Sequence, residues 1–151
     1  MSSSLQDVGL AIKRLQWRHH RDANTRLAPL GLSLAQWDVL RHLHARPEAS
    51  LHELAELTFQ TDQSMGALAA RMVERGLLER RTGPGRAVRH ALTAEGKRLR
   101  EAGGLELNVV LAGTLGRLTP QQLTDLHRLL AAASGAEEPS DPASISGTRS
   151  P

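Results

Sequence analysis

Cysteine and tyrosine are absent from the 151 residues, and the chain has one phenylalanine and two tryptophans. Without cysteine, disulfides, thiolate metal sites and cysteine-based redox sensing are excluded. Because Trp17, Trp37 and Phe59 are the whole aromatic set, a protein that stacks single-stranded bases on aromatic rings is not expected. No run approaches the roughly 18 apolar residues of a membrane span, and the N-terminus lacks the apolar core of a secretion signal. We therefore expect a cytoplasmic protein with no membrane partner.

Positive charge is concentrated between residues 71 and 100. The formal net charge is +3, yet residues 71–100 hold nine basic residues against three acidic ones. Residues 134–151 carry three acidic residues and one arginine, so the rest of the chain is more basic than the total suggests. A basic block of this kind favours a polyanionic partner, although a solvated basic face would have the same composition.

Apolar periodicity and helix-capping residues together predict six helices. Ser33, Ser50 and Thr119 each precede a Gln or Glu by three residues, which is the pattern of a capping box. Thr61 is a further N-cap, and Gly76 is suited to end the helix that follows it. The predicted helices cover residues 5–27, 34–46, 51–57, 62–75, 94–115 and 120–133.

The spacing of apolar residues changes from a helical to a strand-like pattern after the fourth predicted helix. Residues 77–81 and 88–92 read as two short strands, and Gly83, Pro84 and Gly85 between them favour a tight turn. Residues 134–151 are small, polar and proline-bearing, so we expect this C-terminal tail to be disordered. The predicted fold is mainly α with a small β-hairpin, in a single domain over residues 1–133.

The order of these elements is typical of a winged helix-turn-helix. Two helices joined by a short turn are followed at once by a basic hairpin, which would form the wing. In such folds an α-helix enters the DNA major groove while the wing reaches phosphates or the minor groove. The DNA-binding lobe would span about residues 33–92, with the fourth helix as its recognition helix. The candidate DNA-contacting residues are Thr61, Gln63, Ser64, Ala67, Arg71, Arg81, Arg86 and Arg89.

Each type of candidate side chain suits a different part of DNA. Gln63 is able to pair with adenine, and Arg71 with guanine or a phosphate. Thr61 or Ser64 would bond a phosphate at the helix N-terminus. An amphipathic helix with a solvated polar face would show the same pattern by itself, and the neighbouring basic hairpin is what favours DNA.

The most specific pattern of the chain is the pairing of ERGLL (residues 74–78) with the basic hairpin and LTAEG (92–96). It is accompanied by LAQWDVLRHL (34–43), SLHELA (50–55) and DQSM (62–65). Over about residues 5–133 the chain resembles the MarR (multiple antibiotic resistance regulator) family. The resemblance implies a homodimer with interlocking N- and C-terminal helices, which binds pseudo-palindromic operators in double-stranded DNA and is often released by small aromatic ligands. It also implies that Arg86 is the wing arginine. Pro84 stands where the family usually has an aspartate that braces it, so Arg81 or Arg89 could share its role.

The distribution of apolar residues also suggests a dimer. The helices of residues 5–27 and 94–133 carry more apolar positions than a small recognition lobe can cover. Two subunits related by a two-fold axis would present two recognition helices to successive major grooves. We expect a homodimeric transcriptional regulator, and a repressor rather than an activator.

An effector pocket is the second expected site. The resemblance implies a pocket between the dimerisation helices and the DNA-binding lobe, where a small aromatic ligand would bind. The first two helices carry most of the aromatic surface. The candidate lining residues are Trp17, His20, Trp37 and His44, with the alternative that Trp37 is an ordinary core residue.

Two other classes of function remain open on the sequence alone. One is a winged helix used as a protein-interaction module, and the other is a histidine-based haem or metal sensor. The segment HELAE (residues 52–56) falls one residue short of the zinc-protease pattern, because its fifth position is glutamate. No nucleophile lies near a base in a recognisable catalytic spacing. We expect neither an enzyme nor a bound cofactor or metal.

Overall fold

The computed structural model describes residues 2–82, 85 and 87–135. The described residues fall into two compact units, which divide between Leu111 and Ala112. The elements, numbered in chain order, are α1 (Leu5–Leu27), α2 (Leu34–Ala45), α3 (Leu51–Leu57), α4 (Asp62–Glu74), β1 (Leu78–Thr82), β2 (Val88–Leu92), α5 (Ala94–Ala112) and α6 (Pro120–Ser134). Short 3-10 turns occupy Ala28–Leu30 and Leu115–Arg117. Among the described residues, no helix combines the length and hydropathy that crossing a bilayer requires.

Side-chain caps determine where the helices begin. The three predicted capping boxes, at Ser33, Ser50 and Thr119, are all formed. Thr61 caps α4, as predicted. Ser4 begins α1 with a further capping box that the apolar pattern did not predict. Because each cap satisfies backbone N–H groups of the first helical turn, local sequence is enough to set these helix starts.

The hydrophobic core of the first unit joins the end of α1 to α2, α3, α4, β1 and α5. Burying a leucine or methionine side chain of this kind contributes about 1.5–3 kcal/mol relative to leaving it exposed. The core holds α3 and α4 in the helix-turn-helix arrangement against α2. Its most buried members include Leu27, Val39, Leu40, Leu43, Leu54, Met65, Met72, Leu77, Leu78 and Leu99.

The wing is an antiparallel hairpin, as predicted, and it begins one residue later than expected. β1 pairs with β2 so that Leu78 lies opposite Leu92 and Thr82 opposite Val88. The predicted first residue, Leu77, is buried instead, and its N–H closes the end of α4 on the Met72 carbonyl at 2.9 Å. The hairpin tip at residues 83, 84 and 86, which includes the predicted Gly83–Pro84 turn, lies outside the described residues.

The start of α5 is fixed to the end of α4. The Thr93 hydroxyl donates to the Gly76 carbonyl at 2.6 Å and accepts from the Gly96 N–H at 3.0 Å. Gly96 packs directly on the Leu77 carbonyl, where a Cβ atom would overlap the oxygen. The wing and α5 therefore share one rigid junction with the recognition helix.

The C-terminal half of α5 differs from the sequence-based expectation in its length. The helix ends at Ala112 rather than near residue 115, and a 3-10 turn follows. The apolar residues for which a dimer is expected are exposed within one chain, since Leu105 is 69% exposed and Val109 is 51% exposed. One chain therefore leaves much of this helix without a partner.

The second unit contributes the 3-10 turn and α6. Thr119 caps α6, and Gly135 ends it in the left-handed conformation (φ 66°). Leu123, Leu129 and Leu130 are exposed along it. Of the tail that was predicted to be disordered, residues 136–151 lie outside the described residues.

The order of the helices and the antiparallel hairpin confirm the predicted fold, a mainly helical winged helix-turn-helix with a two-stranded wing.

Candidate nucleic-acid interface and ligand cavity

Helix α4 has one buried and one exposed face. Met65, Leu68 and Met72 point into the core. The five residues predicted to contact DNA from this helix are all exposed: Thr61, Gln63, Ser64, Ala67 and Arg71. The Thr61 hydroxyl accepts from the Ser64 N–H at 3.1 Å and lies 3.0 Å from the Ser64 hydroxyl. The first turn of α4 therefore presents short polar side chains of fixed position.

An ion pair links α3 to the first turn of α4. The His52 Nδ1–H donates to Asp62 Oδ1 at 2.9 Å, and His52 Nε2 lies 3.3 Å from Glu56 Oε1. The hydrogen bond that His52 donates to Asp62, followed by the negative charges of Asp62 and Glu56, raises the pKa of the His52 imidazole above its usual value. A protonated His52 offsets the carboxylate at the start of the recognition helix. Among the described residues, no group of three or more His, Asp or Glu side chains is arranged to hold a metal ion.

The wing presents several arginines, of which Arg81 is paired with a carboxylate. Arg80 and Arg81 are exposed on β1, and Arg89 lies opposite Arg81 on β2. The Arg81 guanidinium binds Glu79 Oε1 through both Nη2 at 2.8 Å and Nε at 3.2 Å. The predicted wing arginine Arg86 lies outside the described residues. Charge repulsion between Arg81 and Arg89 across the hairpin favours an anionic partner at this surface.

A buried histidine underlies the wing. His90 faces the core side of β2, opposite Arg80. Burial, followed by the charge of Arg80, lowers the pKa of His90 below its usual value. Neutral His90 is therefore the form that the fold favours, in contrast to His52.

A cavity of about 780 Å³ lies between α2 and α5. Its apolar lining includes Trp37, Leu34, Leu105 and Leu107, and its polar lining includes Asp38, Arg41, Arg100, Glu101 and Asn108. A volume of this size suits a small organic molecule. An apolar wall with a few charged groups predicts a ligand that has both a flat apolar body and an ionised substituent.

The charges around the cavity are unequally paired. Arg41 lies over the Trp37 ring at 5.2 Å and binds Asp38 at 3.0 Å. Burial raises the pKa of Asp38, an effect that the charge of Arg41 partly offsets. The Nε of Arg100 is buried and has no hydrogen-bond partner among the described residues. An unsatisfied buried donor is unfavourable, so this atom is an exception to the usual pairing of buried polar groups. The Nη2 of the same guanidinium lies 3.7 Å from Glu101 Oε1.

The predicted pocket residues are only partly brought together. Trp37 lines the cavity and also packs against the core, so both interpretations offered for it apply. Trp17, His20 and His44 are described residues but do not line this cavity. Trp17 is 61% exposed on α1 and stacks on His20 with ring centroids 6.1 Å apart, while His44 is exposed at the end of α2.

Arg41 and Arg100 are the two arginines among the cavity residues that the sequence does not predict. The spacing of Trp37 and Arg41, one helical turn apart, was a local signal for Arg41. No local signal pointed to Arg100, which comes from α5.

The helix pair α3–α4 and the β1–β2 wing define a winged helix-turn-helix protein. A family model described as the MarR family matches residues 30–87. The HTH-type transcriptional repressor Rv2887 of Mycobacterium tuberculosis (strain ATCC 25618 / H37Rv) is 31% identical over 111 residues, which cover 72% of this chain and 80% of the relative. This chain belongs to the MarR family of transcriptional regulators.

Solved structures agree with this assignment. The M. tuberculosis MarR family protein Rv2887 in complex with DNA has a TM-score of 0.69 and 26% identity, covering 87% of this chain and 98% of that one. The same protein in complex with p-aminosalicylic acid has a TM-score of 0.71 and 27% identity, covering 87% of this chain and 99% of that one. This relative binds DNA and a small aromatic carboxylate.

Proposed function

We propose that this chain is a homodimeric repressor that binds pseudo-palindromic sites in double-stranded DNA and is released by a small aromatic carboxylate. The observation that carries the proposal is the exposed polar turn of α4 beside an arginine-bearing wing. The name of the M. tuberculosis relative and its structure with DNA support it. Residues 33–92 form the DNA-binding lobe, and residues 5–27 and 94–133 supply the dimerisation helices.

Phosphate contacts supply most of the affinity for DNA, and base contacts supply the sequence specificity. Thr61 and Ser64 bind a phosphate at the N-terminus of α4, where the helix dipole favours an anion. Gln63 reads a base edge, and the small side chain of Ala67 permits close approach to the groove. Phosphate contacts come from the arginines, which release counterions on binding. These arginines are Arg71, Arg81, Arg89 and, by the family resemblance, Arg86.

The unpartnered apolar side chains of the long helices support a homodimer. Leu5 on α1 is 94% exposed, Leu105 on α5 is 69% exposed and Leu129 on α6 is 60% exposed. A second copy of the chain covers them when the subunits associate, because burying such residues is the main driving force of association. A two-fold dimer then carries two copies of α4 for two half-sites.

The cavity between α2 and α5 is the effector site in this proposal. The ligand's ring lies against Trp37, and its carboxylate accepts from Arg100 and Arg41, since guanidinium groups bind carboxylates strongly. The relative's complex with p-aminosalicylic acid supports this chemical class. A ligand held between α2 and α5 shifts the recognition lobe relative to the dimerisation helices, which changes the spacing of the two recognition helices and lowers the affinity for DNA.

Fluorescence anisotropy tests the DNA-binding half of the proposal. The full chain is titrated against duplexes from upstream of its own coding sequence and against scrambled duplexes, at several salt concentrations. We expect binding that prefers the native duplex and weakens steeply with salt. Gln63→Ala should change the sequence preference, whereas Arg71→Ala and Arg86→Ala should weaken binding to all duplexes. Equal, weak binding to native and scrambled DNA by the wild type would contradict a sequence-specific repressor, and no binding at low salt would favour a protein-interaction module.

Tryptophan fluorescence tests the effector half. In a Trp17→Phe variant, Trp37 is the single tryptophan, and its emission reports on the cavity. We expect sodium salicylate to alter this emission and to release DNA, and the uncharged salicylamide to do neither at the same concentration. Arg100→Gln should weaken the response to salicylate. An undiminished response in Arg100→Gln would exclude this arginine as the carboxylate partner.

A further inference from the structure

Phe59, in the turn between α3 and α4, has an unusual backbone conformation for its residue type. Its φ is 57°, and it is the one non-glycine residue with positive φ among residues 2–82, 85 and 87–135. Its N–H donates to the Glu56 carbonyl at 3.3 Å, and the next N–H, of Gln60, donates to the Ala55 carbonyl at 2.8 Å. This pair of bonds is the Schellman motif, in which the residue at the position of Phe59 is usually glycine.

A second Schellman motif in this chain has glycine at the position equivalent to Phe59. Helix α4 ends with the same pair of hydrogen bonds, from Gly76 to Val73 at 3.0 Å and from Leu77 to Met72 at 2.9 Å. There the left-handed residue is Gly76, with φ 73°. A left-handed phenylalanine is strained where glycine is not.

Packing does not offset this strain. The Phe59 side chain is 98% exposed, so its ring makes almost no contact within the chain. A large exposed apolar side chain in a strained conformation has no benefit for the folded monomer. A partner is therefore required to explain an aromatic ring at this position.

The position of Phe59 identifies that partner. It lies two residues before Thr61, the N-cap of α4, and the hydrogen bonds of the motif fix its backbone. When a recognition helix enters the major groove by its N-terminal end, the turn before it lies at the rim of the groove. Aromatic and other apolar side chains pack there on thymine methyl groups and on the sugar edges.

We infer that Phe59 is a DNA-contacting residue, whose ring packs against the apolar surface of the duplex beside the half-site read by α4. The inference rests on the proposed DNA-binding function. The apolar contact of the Phe59 ring adds affinity for DNA without neutralising a phosphate charge. Phe59 thus differs from the arginines in its dependence on salt.

The test is Phe59→Gly in the full chain, measured by thermal unfolding, by sedimentation and by anisotropy with the native upstream duplex. Glycine suits the left-handed position, so the melting temperature should stay the same or rise. The affinity for DNA should fall on the order of tenfold, as expected when an aromatic contact is lost. The slope of affinity against salt should stay unchanged, because no counterion release is lost. Phe59→Tyr, which keeps the ring, should bind within about twofold of the wild type.

Results opposite to these expectations would each indicate a different role for Phe59. Unchanged DNA affinity in Phe59→Gly, with a wild type that binds the duplex, overturns the inference and leaves the proposed function intact. A lower melting temperature overturns it in favour of a structural role, and a shift from dimer to monomer overturns it in favour of a contact with a second copy. A wild type that binds no duplex overturns the proposed function itself, and the inference with it.

Discussion

The indole N–H of Trp37 donates a 3.0 Å hydrogen bond to the backbone carbonyl of Arg100, which ties α2 to α5 at the wall of the cavity. Trp37 is held in this pair by its side chain and Arg100 by its backbone carbonyl, while the Arg100 guanidinium lies 3.7 Å from Glu101 Oε1. The same bond fixes the indole plane that faces the cavity.

Replacing Trp37 by phenylalanine tests this bond. The Trp37→Phe variant keeps an aromatic ring but leaves the Arg100 carbonyl without its donor. We expect the free energy of unfolding to fall by about 1–3 kcal/mol, from the lost hydrogen bond and the unfilled volume. Chemical denaturation measures the change. Trp17→Phe is the matched control and should stay within about 0.5 kcal/mol of the wild type, because Trp17 is largely exposed. An equal effect in both variants would contradict the role of the bond.

Two adjacent glycines of α5 should respond in opposite directions to alanine. A Cβ atom at Gly103 would overlap the Trp37 ring, whereas one at Gly104 would lie 3.8 Å from that ring in ordinary contact. Gly103→Ala should be destabilising, since overpacking costs about 1–3 kcal/mol. Gly104→Ala should be neutral or stabilising by up to about 1 kcal/mol, because alanine favours helix. Denaturant midpoints of the two variants compare them directly, and a stabilised Gly103→Ala would show that α5 does not pack closely on Trp37.

Protonation of His52 should depend on Asp62. The Asp62 carboxylate stabilises the imidazolium of the folded chain and so raises the pKa of His52. His52 therefore contributes stability that is fully present below its unfolded pKa, near 6.5. That contribution is lost as pH rises through the higher folded pKa. In an NMR titration of the imidazole, Asp62→Asn should lower the pKa of His52. Glu56→Gln should lower it less, because Asp62 supplies the larger effects. An unchanged titration in Asp62→Asn would show that the ion pair does not form in solution.

Local sequence was sufficient for most of the fold. A cap such as Ser33 or Ser50 acts within its own first helical turn, so its partner three residues later is visible in the sequence. The left-handed Gly76 and the basic hairpin are local signals as well. Together they predicted the order of the elements and the exposed face of α4.

Local sequence patterns did not predict which residues line the cavity or which conformation the turn before α4 adopts. Trp37 and Arg100 are 63 residues apart, and only the packing of α2 on α5 brings them together. Phe59 contradicts the local preference for glycine at a left-handed position, so no propensity rule predicts its conformation. Trp17 and His20 were assigned to a pocket because they are aromatic, but the face of α1 that carries them does not line the cavity between α2 and α5.

Removal of the wing carboxylate should strengthen DNA binding. Glu79 holds the Arg81 guanidinium through two hydrogen bonds to one carboxylate oxygen. In the proposed complex it places a negative charge on the surface that faces phosphates. Glu79→Gln frees Arg81 and removes that charge. We expect the affinity for duplex DNA to rise about threefold to tenfold at low salt, with a steeper salt dependence, because one more phosphate contact is formed. Anisotropy at several salt concentrations measures both quantities.

The matched control for Glu79 lies on α5. Glu95 binds Arg98 at 2.6 Å in a similar exposed pair, outside the wing. If the gain arises from the wing, Glu95→Gln should leave the affinity within about twofold of the wild type. If the affinity for DNA rises only because the chain carries less negative charge, it should rise equally in Glu79→Gln and Glu95→Gln. Unchanged or weaker binding by Glu79→Gln would mean that Arg81 does not reach the DNA and that the wing relies on its other arginines.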